Sequence, residues 1–201
     1  MRDLSQVVGG RWPGELVQAA LREFQLDCGG DNGPAHWARV RKHGVLLALA
    51  HGLEPLVPSL FALFHDCCRE DEHDDPEHGL RSARWVEQMA RRGRLPGLAR
   101  PELRDLVQAC AEHSEGRTSG PLLVMICWDA DRLDLGRVGI EPDPARLCTE
   151  AARAMRPHAH RWAEGRPYRT GAGGRPWSVP VGVNPRSEAS PLPSRRRFVP
   201  G

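Results

Sequence analysis

The feature that most constrains the fold of this chain is a nearly continuous apolar run, Leu56–Phe64, that ends in the adjacent residues His65 and Asp66. A run of this kind is too apolar for a surface segment, so we expect it to be buried. Pro58 can occupy the first turn of a helix, and the large apolar residues fall at helical spacing. The run therefore predicts a buried helix with His65 and Asp66 at its C-terminal part.

Almost every other segment before residue 160 also has the apolar spacing of a helix. Several of these segments begin with a proline and stop at a glycine, which are common helix boundaries. No segment alternates apolar and polar residues as a half-buried strand does. The remaining helices are predicted over residues 12–26, 34–50, 76–92, 101–113, 122–135 and 143–155. The sequence predicts an all-α bundle of about six to seven helices.

Composition limits the class of protein. A chain of 201 residues, 40% of them hydrophobic, is long enough for one domain with a packed core. No run reaches the ~18 apolar residues of a membrane span, and the first residues lack the apolar stretch of a signal peptide. Six cysteines without a CxxC pair are typical of reduced, mostly buried thiols. We therefore expect a cytoplasmic protein, and the ratio of 27 arginines to one lysine favours a bacterial source.

Residues 164–201 differ in composition from the rest of the chain. They hold seven arginines against two glutamates, and seven of the eighteen prolines. Because such a segment cannot form a packed helix, we divide the chain into a helical domain at 1–163 and a flexible tail at 164–201. The tail either lacks a function or contacts a partner subunit or nucleic acid, and both interpretations stay open. Residues 1–163 have a net charge of −3, which argues against a dedicated nucleic-acid-binding domain, because such domains usually have a basic face.

Histidines and aspartates elsewhere in the chain are candidates to join His65 and Asp66 in a metal site. His36 precedes them, and Asp131 follows them on a separate predicted helix. Sites in helical bundles are built from inward side chains of facing helices, so one ligand per helix is expected. Imidazole and carboxylate groups together suit Mn, Fe, Mg or Zn. A metal also explains Asp66, because a negative charge is otherwise unfavourable at the C-terminal end of a helix.

Three short motifs occur in a fixed order, and the order resembles that of the HD-domain metal-dependent phosphohydrolase superfamily over residues 30–150. The motifs are His36-Trp-Ala-Arg39-Val40, Leu63-Phe64-His65-Asp66 and Asp129-Ala-Asp131-Arg-Leu-Asp134. The resemblance implies an HD-type helical domain. It also implies two sets of metal ligands, the principal set being His36, His65, Asp66 and Asp131, and the additional set for a second ion being His78 and His113.

The resemblance implies a hydrolase that uses metal-activated water against a phosphorylated small molecule, with a nucleotide as the leading substrate class. The metal would be Mn or Fe, with Mg, Co, Ni and Zn as alternatives, and one ion or two are both open. Asp66 would be a ligand, a catalytic group and, with two ions, a bridge. Arg39 and Arg69 are candidates to bind substrate phosphate, and Arg69 also to stabilise charge during the reaction. No membrane partner is expected, and a homo-oligomer stays open.

Two other functions fit the same ligands. Some HD-domain proteins with six histidine and aspartate ligands hold two irons and are oxygenases that cleave carbon–carbon or carbon–phosphorus bonds. A non-catalytic nucleotide-binding module is the other alternative. The sequence has no GxxxxGK[ST] loop, no GxSxG elbow and no GxGxxG turn, so it does not support a P-loop site or serine catalysis.

Overall fold

The computed structural model describes residues 12–95 and 97–163, and within them every regular element is helical. Three short 3-10 turns, His113–Glu115, Leu135–Val138 and Pro144–Arg146, join the helices near the C-terminal half. The described residues form seven α-helices, which are α1 (Gly14–Glu23), α2 (Pro34–Ala50), α3 (Leu56–Phe64), α4 (His78–Arg91), α5 (Arg100–Glu112), α6 (Leu122–Arg132) and α7 (Glu150–Ala163). The all-α prediction is confirmed.

Helix α3 is the centre of the bundle, and all nine of its residues are buried. It packs against α2, α5 and α6, while α4 packs on the outer side of α5 and α7 packs on α2. The largest fully buried side chains include Trp37, Trp128, Phe61 and Phe64. Because the ends of α3 and its neighbours meet in this core, the residues that follow Phe64 enter the interior rather than the solvent.

A glycine lets two of the central helices approach closely. A Cβ atom added at Gly44 of α2 would lie 2.8 Å from the Cβ atom of Pro58 in α3 and 3.5 Å from that of Ala130 in α6. The first of these distances is shorter than any normal carbon–carbon contact, so a larger residue would push the helices apart. Gly44 therefore helps to set how closely α2 lies against α3.

The start of α4 differs from the sequence prediction, which placed it at residue 76. The helix begins at His78, and Asp75, which would be the cap of a helix that started at residue 76, makes other contacts. The Asp75 carboxylate accepts a hydrogen bond from the backbone amide of Glu70 at 2.7 Å and another from the guanidinium of Arg81. Through these contacts Asp75 joins the preceding loop, residues 69–75, to the side of α4, and it does not cap the helix.

The last helix also differs from its prediction, which began at residue 143 and ended near residue 155. Asp143 caps only the 3-10 turn, through a 2.9 Å bond from the amide of Ala145. The helix itself begins after Thr149, whose hydroxyl accepts a bond from the amide of Ala152 and donates one to the buried carboxylate of Asp129. The start of α7 is therefore fixed by a residue of α6, and the helix runs on to Ala163.

Several smaller predictions concern the same described residues. Trp37, Trp85 and Trp128 are buried, and all six cysteines are free thiols, as the sequence predicts for the cysteines. Within the described ranges no helix has both the length and the apolar character needed to cross a membrane. The predicted tail, 164–201, lies outside the described residues.

His43 gives the fold a pH dependence. Its ring is fully buried, and Nδ1 donates to the carbonyl of Ala130 at 3.2 Å. Burial lowers the pKa of His43 from 6.5 to about 4. The unfolded chain therefore takes up a proton below pH 6.5 that the folded protein accepts only near pH 4, and stability falls as the pH drops through this window.

We expect the free energy of unfolding to fall by about 2.5 kcal/mol more in the wild type than in His43→Gln between pH 7.5 and pH 4.5. Glutamine keeps a donor for Ala130 but does not titrate. Urea unfolding of both proteins at the two pH values, in the presence of a chelator, measures the difference. An equal loss in both proteins would contradict the assignment to His43.

Candidate metal centre

Six histidine and aspartate side chains meet where the ends of five helices converge. They come from the first turn of α2, the residues that follow α3, the first residue of α4, the residue after α5 and the last turn of α6. Five of the six are buried residues, and the sixth, Asp131, has a side chain that is 18% exposed. The six residues are His36, His65, Asp66, His78, His113 and Asp131. These are the residues proposed from the sequence, and the structure brings all of them together.

The first cluster consists of His36, His65 and Asp131. The Nε2 atoms of His36 and His65 are 3.1 Å apart. They lie 3.4 and 3.7 Å from Oδ1 of Asp131. Donor atoms bound to one ion at 2.0–2.2 Å are separated by about 3.0–3.5 Å when the bond angles are near 90–110°. The three atoms are therefore spaced as ligands of a single ion.

The second cluster consists of His78, His113 and one oxygen of Asp66. The two Nε2 atoms are 2.8 Å apart. They lie 3.3 and 3.5 Å from Oδ1 of Asp66, which is buried and has no hydrogen-bond partner within the described residues. A buried carboxylate oxygen without a partner is costly unless a cation neutralises it. The nearest guanidinium nitrogen, Nη1 of Arg69, lies 3.6 Å away, too far for a hydrogen bond, so this oxygen is available to an ion that displaces the guanidinium.

Asp66 connects the two clusters. Its Oδ2 atom lies 3.6 Å from Nε2 of His36 and 3.5 Å from Nε2 of His65, while its Oδ1 atom faces the second cluster. One carboxylate thus offers one oxygen to each group of histidines. This arrangement can serve one ion or two.

Hydrogen bonds on the outer side of each ring fix which nitrogen of the histidines faces inward. In all four rings Nδ1 lies against an oxygen that can only accept, so Nδ1 carries a proton and, whenever the ring is neutral, Nε2 presents its lone pair to the cluster. Such outer partners are the usual support of metal-bound histidines. The acceptors are Asp134 Oδ2 for His36 (2.7 Å), Phe61 O for His65 (3.2 Å), Asp75 O for His78 and Cys110 O for His113 (2.8 Å).

The electrostatics of the site favour a bound cation. Burial raises the pKa of Asp66, but the nearby rings of His65 and His113 outweigh it and hold the pKa well below its usual range. The same balance lowers the pKa of Asp131 beside His36 and His65. Burial and the neighbouring His113 lower the pKa of His78 to about 4, so this ring is a neutral donor at pH 7. Burial lowers the pKa of His65, but Asp66 and Asp131 outweigh burial and raise it. Ionised carboxylates and neutral imidazoles are the forms that bind divalent metals, so an ion at His65 competes with a proton.

Asp134 and Arg39 support the first cluster from outside. Asp134 accepts from Nδ1 of His36 through one oxygen and, at 2.7 Å, from Nε of Arg39 through the other. Burial raises the pKa of Asp134, and the bonds from His36 and Arg39 more than offset this and lower it. Arg39, which the sequence suggested as a phosphate ligand, is therefore engaged with Asp134. Its proposed contact with substrate stays a prediction.

Arg69 lies at the second cluster. Its Nη1 atom is 3.2 Å from Nε2 of His78 and 3.6 Å from Oδ1 of Asp66, and its Nε donates to the carbonyl of Asp71 at 2.9 Å. The side chain is 14% exposed, so the guanidinium lies between the cluster and the solvent. This position suits contact with a bound anion.

Gly79 allows the second cluster to form. A Cβ atom at this position would lie 2.6 Å from the carbonyl oxygen of Cys110, 3.1 Å from that of Ala111 and 3.3 Å from Cε1 of His113. The start of α4 can therefore contact the end of α5 only because residue 79 has no side chain. The contact places His78 beside His113.

Sequence reasoning missed the roles of Asp134, Gly79 and Asp129. Asp134 follows Asp131 by three residues, so the two side chains lie on the same side of a helical turn. This spacing indicates that Asp134 can lie near the metal ligands. Gly79 directly follows His78, but a close approach of two helices has no local signature. The hydrogen bond that the Thr149 hydroxyl donates to Asp129 links residues 20 apart and could not be predicted from spacing.

Comparisons with protein-family models, with curated proteins and with solved structures each found no match to this chain.

We expect Gly79→Ala to lower the free energy of unfolding by about 1–3 kcal/mol, because the new methyl group meets backbone oxygens that cannot move away. Alanine favours a helix over glycine, so a local effect would have the opposite sign. Gly14→Ala is the control, since a Cβ atom there meets nothing within 4 Å. Thermal unfolding compares the two, and equal stability would show that α4 and α5 do not meet as described.

We expect Asp134→Asn to weaken metal binding by about 10- to 100-fold while the helical content stays unchanged. An amide has one acceptor oxygen for two donors and no charge to balance Arg39. Titration with Mn²⁺ measures the affinity, with Asp143→Asn as an exposed control. Wild-type affinity in Asp134→Asn would show that His36 does not depend on this support.

Proposed function

We propose that this protein is an HD-type metal-dependent phosphohydrolase that acts on a phosphorylated small molecule. The observation that carries the proposal is that four buried imidazoles, each donating its Nδ1 proton outward, place Nε2 at 3.3–3.6 Å from the two oxygens of one carboxylate. Lone pairs repel one another, so this arrangement is favourable only around positive charge. The order of the three sequence motifs supports the same family.

Each residue has a defined part in this proposal. His36, His65 and Asp131 would hold one ion, His78 and His113 a second, and Asp66 would bind both. A divalent ion in such a site lowers the pKa of water and polarises a phosphoryl oxygen. The site has three carboxylates and two guanidinium groups, which give it a net charge of −1 when the imidazoles are neutral. The carboxylates are those of Asp66, Asp131 and Asp134, and the guanidinium groups are those of Arg39 and Arg69. The excess negative charge favours a divalent cation over an empty site.

The proposed substrate class follows from Arg69. A guanidinium that is partly exposed beside the cluster can donate two parallel hydrogen bonds to a phosphate and stabilise the charge that develops on it. Nucleotides lead as substrates because of the family resemblance. Mn and Fe lead as the metals for the same reason.

The test is phosphate or pyrophosphate release from a panel of nucleotides and phosphomonoesters with Mn²⁺, with Asp66→Ala as the matched control. We expect release by the wild type, and loss of both release and bound Mn²⁺ in the control while its circular dichroism stays helical. Full metal content in Asp66→Ala would contradict the site.

The same six residues keep the diiron oxygenase as a second candidate. The observation that favours it is the second cluster, in which Nε2 of His78 and Nε2 of His113 lie 2.8 Å apart and 3.3 and 3.5 Å from Oδ1 of Asp66. Absence of release with every compound, together with two bound irons and oxygen consumption, would establish the oxygenase. Nucleotide binding without either activity would indicate the binding module.

A further inference from the structure

The two clusters differ in one respect that their ligand types do not explain. Within residues 12–95 and 97–163 no arginine or lysine contacts the inward atoms of His36, His65 or Asp131. At the second cluster, by contrast, the guanidinium of Arg69 contacts two of the three inward atoms, those of His78 and Asp66. Among the described residues, therefore, no cationic side chain contacts the first cluster, whereas the guanidinium of Arg69 contacts the second.

Arg69 contacts the same two atoms, Nε2 of His78 and Oδ1 of Asp66, that a second ion would need as ligands. Nη1 lies 3.2 Å from the lone pair of His78 Nε2, so it donates into the position from which that nitrogen would bind metal. The bond from Nε to the carbonyl of Asp71 keeps the planar group turned towards the cluster. A nitrogen has a single lone pair, so His78 cannot serve Arg69 and a metal at the same time.

We infer that Arg69 is a built-in competitor for the second ion. The guanidinium holds the second cluster in the singly loaded protein, and it leaves when a phosphate anion accepts its hydrogen bonds. The second ion and a phosphate therefore bind cooperatively, while the first ion binds independently of Arg69. This inference rests on the two-ion site of the proposed function.

The experiment titrates Mn²⁺ into chelator-treated full-length protein, with and without inorganic phosphate, and follows free Mn²⁺ by electron paramagnetic resonance. The proteins are the wild type, Arg69→Met and, as a control with the same loss of charge, Arg91→Met. Arg91 lies on α4, is 67% exposed and pairs with Glu87. Circular dichroism and thermal unfolding check that each variant folds.

We expect two classes of site in the wild type, with the weaker one tightened by phosphate. Arg69→Met should bind the second Mn²⁺ about tenfold more tightly than the wild type without phosphate, because one charge-assisted hydrogen bond no longer opposes it. Phosphate should then have little further effect. Arg91→Met should behave as the wild type, and Arg69→Lys, which keeps a charge, should remain closer to the wild type than to Arg69→Met.

Three results would overturn the inference. They are an unchanged or weaker second site in Arg69→Met, a single Mn²⁺ in both wild type and Arg69→Met, and the same effect of phosphate on both proteins. A wild type that binds no Mn²⁺ at all would instead refute the proposed function, so the two failures are distinguishable.

Discussion

The carboxylate of Asp66 is the group on which the arrangement of the rest depends. Each of its oxygens lies within 3.3–3.6 Å of two imidazole nitrogens, and those imidazoles belong to the ends of four different helical segments. The bundle brings these ends together by burying α3 completely, so that the residue pair after Phe64 emerges inside the protein. Hydrophobic burial supplies the stability, and the polar cluster is tolerated because every ring has an outward acceptor.

A second layer of polar contacts makes the cluster rigid. Asp134 fixes the ring of His36 and is itself held by Arg39, whereas the other three rings bond to backbone carbonyls of the turns that carry them. Backbone acceptors move only if the helix end moves. The backbone therefore orients three of the four histidines. The fourth, His36, is oriented by Asp134, which the salt bridge from Arg39 holds in place.

Much of the fold could be predicted from the sequence, because apolar periodicity is a local signal. The bounds of α2 agree with their prediction, and α3 covers the apolar run Leu56–Phe64, although His65 and Asp66, predicted in its C-terminal part, follow the helix. The starts of α4 and α7 could not be predicted, since side chains from elsewhere determine them: Arg81 takes Asp75, and Asp129 supports Thr149. The partner of Arg39 was missed for the same reason, because Asp134 lies 95 residues away in the chain.

Asp66 belongs to both clusters, and the residues of the second cluster span a shorter stretch of the chain than those of the first. Residues 66, 78 and 113 complete the second cluster, whereas the first cluster requires residue 131 as well as residue 36. A chain is synthesised from its N-terminus, and domains fold as their residues emerge. Asp131 is the last of the six residues to be synthesised, and it lies on α6, which packs directly on α3, so the first cluster can be completed only when the central packing of the bundle is also complete.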